Sequence, residues 1–174
     1  MILQKYDMLI IKKDSCINIS SITKSMSNIL YIRIFLIHCL RDISHFIKAI
    51  TTYSKDGMGF ELLNIDIDNK ENLVYFSESW YDYKSKPTTP EIEALLEAED
   101  FIQLCKMGFL DYAVMTKDNF MHLLLTWDTI LNQLPSFALL YLDDKGWYDI
   151  KAFDSQTAME QFVADHTTPK ITKF

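Results

Sequence analysis

The chain has 174 residues and a formal net charge of −7, and 49% of its residues are hydrophobic (Ala, Val, Ile, Leu, Met, Phe, Trp, Tyr or Cys). This composition is typical of a folded domain and excludes an intrinsically disordered chain. The acidic balance argues against a protein that binds nucleic acid through its phosphates, because such proteins carry basic surfaces. With four glycines in total, the sequence has no Gly-rich phosphate-binding loop.

The charge is distributed unevenly along the chain. Residues 1–56 hold eight Lys or Arg against four Asp and no Glu, a net charge of +4, whereas residues 57–174 carry a net charge of −11. All glycines, prolines and tryptophans lie in the second part. These differences favour two regions, a basic leader rich in Ile and Ser over residues 1–57 and an acidic domain over residues 58–174.

Three interpretations of the leader remain open. Its apolar run from Ile29 to Leu40 is shorter than the 20 or so residues that span a bilayer, and no small-residue cleavage site follows it, which argues against an anchor or a signal peptide. The run also fits a helix from about Ser27 to Ile50 that docks on the core. Alternatively, the domain begins at Met58 behind a mis-assigned start. That last interpretation predicts few core contacts for residues 1–56.

The acidic region begins with two predicted strands and a helix. Residues 59–67 alternate between apolar and polar, which predicts a strand, and residues 73–79 predict a second strand in an antiparallel hairpin with the first. A helix is expected to begin near Thr88 or Thr89, with Pro90 in its first turn, and to end at Gly108.

The remaining elements follow in the order strand, helix, hairpin, helix. Residues 110–115 predict a short strand, and a helix capped by Thr116 or Asp118 runs to Pro135. Residues 137–142 and 147–153 predict a hairpin, and Ser155 opens a last helix that ends before Pro169. The order ββα(β)αββα predicts an α+β fold, an antiparallel sheet with helices packed on one face.

The sequence shows no pattern typical of a catalytic or metal site. Three cysteines without C-x-x-C spacing indicate a reduced, cytoplasmic protein, and Cys105 lies on an apolar helix stripe that predicts a buried, inert thiol. Asp66 and Asp68 resemble the start of a calcium loop, but Glu71 occupies the position that requires Gly. His122 is expected on a helix surface. We therefore expect no catalytic residue, no metal and no cofactor.

Two clusters combine carboxylates with aromatic side chains, the residue types of binding hot spots for a basic partner. The first consists of Glu78, Trp80, Tyr81, Asp82 and Tyr83. The second consists of Asp143, Asp144, Trp147, Tyr148 and Asp149. From these we predict charged and polar contacts to a partner, with Trp80 and Tyr81 as anchors. The competing interpretation is that Trp147 and Tyr148 are ordinary strand residues, one of which faces the core.

Several segments resemble small bacterial immunity proteins, the cytoplasmic antitoxins of contact-dependent inhibition and related polymorphic toxin systems. The similarity lies in Tyr112–Phe120, Leu124–Trp127, Pro135, Asp144–Trp147 and Ile150–Phe153, and covers roughly residues 73–166. It implies a non-enzymatic inhibitor that binds and neutralises a cognate toxin domain, often a basic nuclease, with neither nucleic acid nor membrane as partner. Two alternatives remain, an adaptor or regulatory protein-binding domain and a small hydrolase with an unrecognised site.

Overall fold

Two four-stranded antiparallel sheets form the framework of the computed structural model, which describes residues 1–13, 17–22, 29–38, 43, 46–47, 58–60, 63–78 and 86–167. Sheet A has the order β2-β1-β7-β8, with β1 at Leu3–Lys13, β2 at Ile17–Ser21, β7 at Phe137–Asp143 and β8 at Tyr148–Phe153. Sheet B has the order β3-β4-β5-β6, with β3 at Met58–Phe60, β4 at Leu63–Asp68, β5 at Leu73–Glu78 and β6 at Tyr112–Thr116.

Helices cover both faces of each sheet. The described helices are α1 at Ile29–His38, α2 at Pro90–Glu97, α3 at Phe101–Lys106, α4 at Lys117–Gln133 and α5 at Gln156–His166. Helices α1 and α4 contact strands of both sheets and form a middle layer, whereas α5 covers the outer face of sheet A and α3 that of sheet B. The main core lies in and around this middle layer.

The α+β class is confirmed, but the strands are divided between two sheets instead of forming one sheet with helices on one face. The physical reason lies in α1. Its side chains are apolar on nearly every side, with Ile29, Ile32 and Phe35 fully buried and Tyr31 and Ile34 half-buried. A helix that is apolar all round requires cover on all sides, and here a sheet lies on each side of it.

The prediction that residues 1–56 make few core contacts is wrong. Strand β1 is an inner strand of sheet A and pairs with both β2 and β7. Leu9 and Ile11 of β1 are buried in the main core together with residues of α1, as are Ile43 and Phe46. The helix expected over residues 27–50 is confirmed in its first part, since α1 begins at Ile29. Whether a residue joins the core depends on the pattern of apolar residues. Two segments of different overall composition can therefore share one core.

A buried ion pair connects β1 and α1, two elements of residues 1–56. Asp7 of β1 has no solvent exposure, and it accepts a hydrogen bond from Nη1 of Arg33 in α1 at 2.7 Å and one from the Ser21 hydroxyl. Removing one partner of such a pair leaves an uncompensated buried charge. One of the positive charges in this region, that of Arg33, therefore neutralises a buried carboxylate of the protein itself.

The predicted helix ends after β6 agree closely with the structure. The Thr116 hydroxyl accepts a hydrogen bond from the Asn119 amide at 3.1 Å and caps α4, which ends at Gln133 with Leu134 in the left-handed conformation ahead of Pro135. The Ser155 hydroxyl caps α5 in the same way through the Ala158 amide. Such caps satisfy amide groups that the helix leaves unpaired, so short sequence signals locate them.

The helix predicted between Thr88 and Gly108 is two helices. Thr89 caps α2 and Pro90 opens it as expected, but Glu99 adopts a left-handed backbone with φ 51°. The Asp100 carboxylate then accepts a hydrogen bond from the Gln103 amide at 3.1 Å and starts α3 as a new N-cap. A carboxylate that caps a helix competes with helix continuation, which is why the chain turns here.

The strand predicted over residues 59–67 is also two elements. Strands β3 and β4 pair with each other, Phe60 opposite Leu63 and Met58 opposite Ile65, so the chain reverses between them. The alternation within β4 is confirmed, since Leu63, Ile65 and Ile67 all face the core. Alternation reports which face a side chain takes but not where a strand reverses direction.

In the part of the chain that the structure describes, no helix is long and apolar enough to cross a membrane.

Candidate functional site

The tip of the hairpin between β7 and β8 is built by the Asp143 side chain. Its Oδ1 accepts hydrogen bonds from the amides of Lys145 at 2.9 Å and Trp147 at 2.8 Å. Gly146 supplies the left-handed backbone of this turn, with φ 79°. The Asp143 carboxylate therefore shapes the tip that presents Trp147, and its Oδ1 is already engaged by two amides of the turn.

Asp149 is held by three donors along the hairpin. Its Oδ2 accepts a hydrogen bond from the Tyr141 hydroxyl at 3.1 Å, and its Oδ1 accepts one from the Ile150 amide at 2.8 Å. The same Oδ1 lies 2.9 Å from Nε2 of His122 on α4. Burial and then the neighbouring Asp149 raise the pKa of Tyr141, so this phenol stays protonated as a donor. Asp149 consequently acts inside the protein as a positioning group.

Trp147 is the large aromatic side chain that this network presents to solvent. Its side chain is 37% exposed, and its ring centroid lies 5.6 Å from that of His122. His122 is itself held by Asp149, so the tryptophan rests against a side chain with a defined position. Leu125, one helical turn beyond His122 on the same face of α4, is 52% exposed. We call the set Asp144, Trp147, Asp149, His122 and Leu125 the hairpin surface.

Asp144 supplies the exposed negative charge of the hairpin surface. Its pKa is lowered, first by a hydrogen bond from the Ile2 amide, so it remains ionised. Ile2 and Met1 are 44% and 53% exposed. The hairpin surface therefore continues onto two exposed apolar residues at the start of β1. Tyr148, in contrast, is buried with 4% exposure, so of the two neighbouring aromatic residues one faces the core and one faces solvent.

A buried asparagine fixes α4 against the free edge of sheet A and thereby sets the position of His122. Asn119 is 2% exposed; its Oδ1 accepts a hydrogen bond from the Tyr148 amide at 2.8 Å, and its Nδ2 donates to the Tyr148 carbonyl. Both polar backbone groups of this edge residue are satisfied in this way. The first part of the β8 edge is thus closed to pairing with another strand.

Glu78 lies apart from the hairpin surface and its carboxylate is used internally. The residue is 8% exposed, its Oε1 forms an ion pair with Lys86, and the Asp111 amide donates to the same oxygen at 3.1 Å. Lys86 also donates to the Phe109 carbonyl at 2.9 Å. Glu78 therefore fastens the end of β5 to the chain after α3. The other members of the first predicted cluster, Trp80, Tyr81, Asp82 and Tyr83, lie outside the described residues.

Sequence reasoning missed His122 and Leu125 as parts of the site. A sequence signal existed for Leu125, since it is an apolar residue off the buried stripe of α4. His122 had no such signal, because its contacts to Asp149 and Trp147 depend on α4 packing against β8.

The side chains of the hairpin surface are not arranged to coordinate a metal ion. No group of three or more His, Cys, Asp or Glu side chains is placed to hold one in the described part of the chain. Asp68, from the calcium-like pattern, accepts hydrogen bonds from the amides of Lys70 and Glu71 and so closes the turn after β4. His122 and Asp149 lie on an open surface, with a tryptophan as the third partner. The hairpin surface has the make-up of a contact surface.

Comparison with family models, with curated proteins and with solved structures finds no match for this chain.

Proposed function

We propose that this protein binds and neutralises a cognate bacterial toxin domain, as immunity proteins do, with the hairpin surface as the contact. The observation that carries the proposal is the exposed Trp147 beside the ionised Asp144, backed by His122 and Asp149. Aromatic side chains that are fixed before binding make effective anchors, because little conformational entropy is lost on association.

Charge supports a basic partner. The chain carries a net charge of −7, with −11 of it contributed by residues 57–174 and +4 by residues 1–56, and a net negative charge accelerates encounter with a basic surface at low ionic strength. Domains that cleave nucleic acid carry such basic surfaces, so a nuclease is the toxin class that fits best. Inhibition by occlusion of the toxin in the cytoplasm requires no catalytic residue and no cofactor in the inhibitor.

The internal roles of Asp143, Asp149 and Glu78 narrow the predicted contacts. These three carboxylates have donors within the protein and are buried or half-buried, whereas Asp144 is exposed, so Asp144 is the carboxylate that we expect to pair with a cation of the partner. Trp147 and Leu125 provide the apolar contact. The aromatic residues 80–83 remain predicted contacts.

The proposal is tested with the toxin domain encoded directly upstream of the gene for this protein. Full-length protein is immobilised and binding of that domain is measured by biolayer interferometry, alongside protection of cells that express it. Trp147→Ala is expected to weaken binding about 30-fold or more, the effect of losing a hot-spot residue of about 2 kcal/mol. Met107→Ala, which also truncates an exposed apolar side chain (46% exposed), is the matched control.

A second pair of variants tests the charge. Asp144→Lys is expected to slow association, most strongly at low salt, whereas Asp154→Lys, at the far end of the hairpin, should change it far less. Unchanged binding and protection in both Trp147→Ala and Asp144→Lys would contradict the proposed contact surface. Binding of the upstream product without protection would favour an adaptor over an inhibitor.

A further inference from the structure

A carboxyl group lies between sheet B and the helix that covers its outer face. In β4, Ile65 and Ile67 face the main core, so Asp66 between them points to the opposite face, where α3 packs. Its Oδ2 is inaccessible to solvent and has no hydrogen-bond partner among the described residues. The residue as a whole is half-buried, and a charge on this carboxylate is disfavoured because neither water nor a donor compensates for the burial of Oδ2.

The neighbouring groups increase this penalty. Asp100, the N-cap of α3, adds a second negative charge, and burial together with Asp100 raises the pKa of Asp66 to about 6. From the same helix the Cys105 thiol is close enough to Asp66 to interact with its charge, and burial raises the pKa of this thiol to about 12, so it stays neutral. Tyr75 lies directly across from Asp66 on β5. The described residues of β3, the other neighbour of β4, carry no titratable side chain.

The nearest cation on α3 is engaged elsewhere. Lys106 pairs with Asp68 at 3.2 Å and with Glu71 at 3.1 Å, at the end of β4 and in the turn that follows. Both distances are measured from the lysine Nζ, so the charge of Lys106 balances the carboxylates of Asp68 and Glu71. Asp66 lies deeper under the helix, next to neutral or negative groups.

The helices above Asp66 are held by few buried side chains. We call α2, α3 and the turn between them, residues 90–106, the α2–α3 lobe. No side chain of α2 is fully buried, and α3 buries Leu104 and Cys105. These two pack with Tyr75 and Leu110 in a cluster separate from the main core, and five further apolar side chains of the lobe are partly buried against it, namely Ile92, Leu95, Leu96, Phe101 and Ile102. A segment in which most apolar side chains are only partly buried opens locally at a lower free energy than the core of a domain.

We propose that the Asp66 carboxyl is a proton-operated latch for the α2–α3 lobe: when protonated it allows the lobe to dock on sheet B, and when ionised it favours local separation of the lobe. On opening, the carboxyl releases its proton to water and the carboxylate becomes hydrated. No bond other than this O–H changes. The latch does not depend on the function of the hairpin surface, which lies on sheet A.

Because Cys105 belongs to α3 and is buried while the lobe is docked, its alkylation reports opening. The full-length protein, its Asp66→Asn variant and its Glu97→Gln variant are treated with iodoacetamide at one slightly alkaline pH, and the peptide that contains Cys105 is followed by mass spectrometry. Glu97 is exposed on α2, so Glu97→Gln removes the same charge from the lobe without touching the latch. A common pH keeps the intrinsic thiol reactivity equal in all three proteins.

Asp66→Asn is expected to slow alkylation of Cys105 about 10- to 100-fold, since each unit of pKa difference between closed and open states changes the opening equilibrium tenfold. Glu97→Gln is expected to remain within about twofold of the unmodified protein. Equal rates for Asp66→Asn and the unmodified protein would overturn the proposal. An equal slowing by Glu97→Gln would overturn it as well, because the effect would then belong to the overall charge of the lobe.

Amide hydrogen exchange tests the latch without relying on one variant. Protection of the Leu104 and Cys105 amides, corrected for intrinsic exchange, is measured at about pH 5 and about pH 7. The unmodified protein is expected to lose protection at the higher pH, whereas Asp66→Asn keeps it. Asp100→Asn, in which the amide oxygen still caps α3, should show a smaller loss than the unmodified protein. Protection of these two amides that is the same at both pH values in the unmodified protein would refute the latch.

Discussion

Removal of residues 1–57 is expected to abolish the folded state of the remaining chain. Strand β1 would be lost from the middle of sheet A, and α1 from the layer between the sheets. The deletion also removes six side chains that are at most 5% exposed, namely Leu9, Ile11, Ile29, Ile32, Phe35 and Leu36. At about 1.5–3 kcal/mol for each buried side chain, their burial contributes about 9–18 kcal/mol. Part of this gain offsets the entropy of ordering the segment itself, but the deletion also uncovers the apolar faces of both sheets, and a net stability of about 5–15 kcal/mol leaves little reserve for that exposure.

The fragment comprising residues 58–174 is examined by near-ultraviolet circular dichroism and urea titration. We expect no fixed environment for Trp127, whose indole donates to the Leu36 carbonyl at 2.9 Å, and no cooperative transition. In the full chain, Leu9→Ala should cost about 2–5 kcal/mol of unfolding free energy, and the surface control Leu125→Ala about 0.5 kcal/mol or less. A fragment that unfolds cooperatively with a midpoint close to that of the full chain would refute the reasoning.

Three further predictions concern polar groups inside the fold. Asn119→Ala leaves the buried amide and carbonyl of Tyr148 without their hydrogen-bond partner and is expected to lower the free energy of unfolding in urea by about 2–5 kcal/mol. Asn132→Ala, an exposed change on the same helix, should lower it by about 0.5 kcal/mol or less. Arg33→Met leaves the buried Asp7 without its cation and should cost about 3–5 kcal/mol at neutral pH; equal stability of the variant would contradict the role of this pair. The pKa of Asp66 is about 6 in the folded protein against an ordinary 3.8, so the folded state holds this proton more tightly and stability falls as the pH rises from about 4 to about 6. Asp66→Asn should remove this decrease and raise the stability at neutral pH by about 1–3 kcal/mol; a pH profile identical to that of the unmodified protein would contradict the assignment.

Helix ends and turns were predictable because their determinants are local. The Thr116 and Ser155 hydroxyls reach amides three residues away, and Gly146 has the positive φ that its turn requires. Each of these groups satisfies or shapes backbone within a few positions of itself. The break at Glu99 escaped prediction because Asp100 suits both a helix interior and a new N-cap, and only one of these conformations packs α3 on sheet B.

The candidate site was predictable in its residue types but not in their roles. The sequence indicated a cluster of acidic and aromatic residues at the hairpin, and two of them, Trp147 and Asp144, are exposed in the structure. That Asp149 binds Tyr141 and His122, and that Glu78 binds Lys86, depends on side chains brought together from distant segments. A sequence shows that a carboxylate is present, but its availability to a partner depends on which donors surround it in the folded chain.

The sequence by itself determined the α+β class, the acidic character of residues 57–174, and the ends of α4 and α5, because composition and apolar periodicity act over short distances. Only the tertiary structure decided that β1 pairs with β7 and that α1 lies between two sheets. Strand pairing joins backbone groups irrespective of their separation along the chain, and nothing in the local pattern names the partner strand. The two segments of unlike charge therefore share a core, since burial depends on apolar area and shape and charge remains largely at the surface.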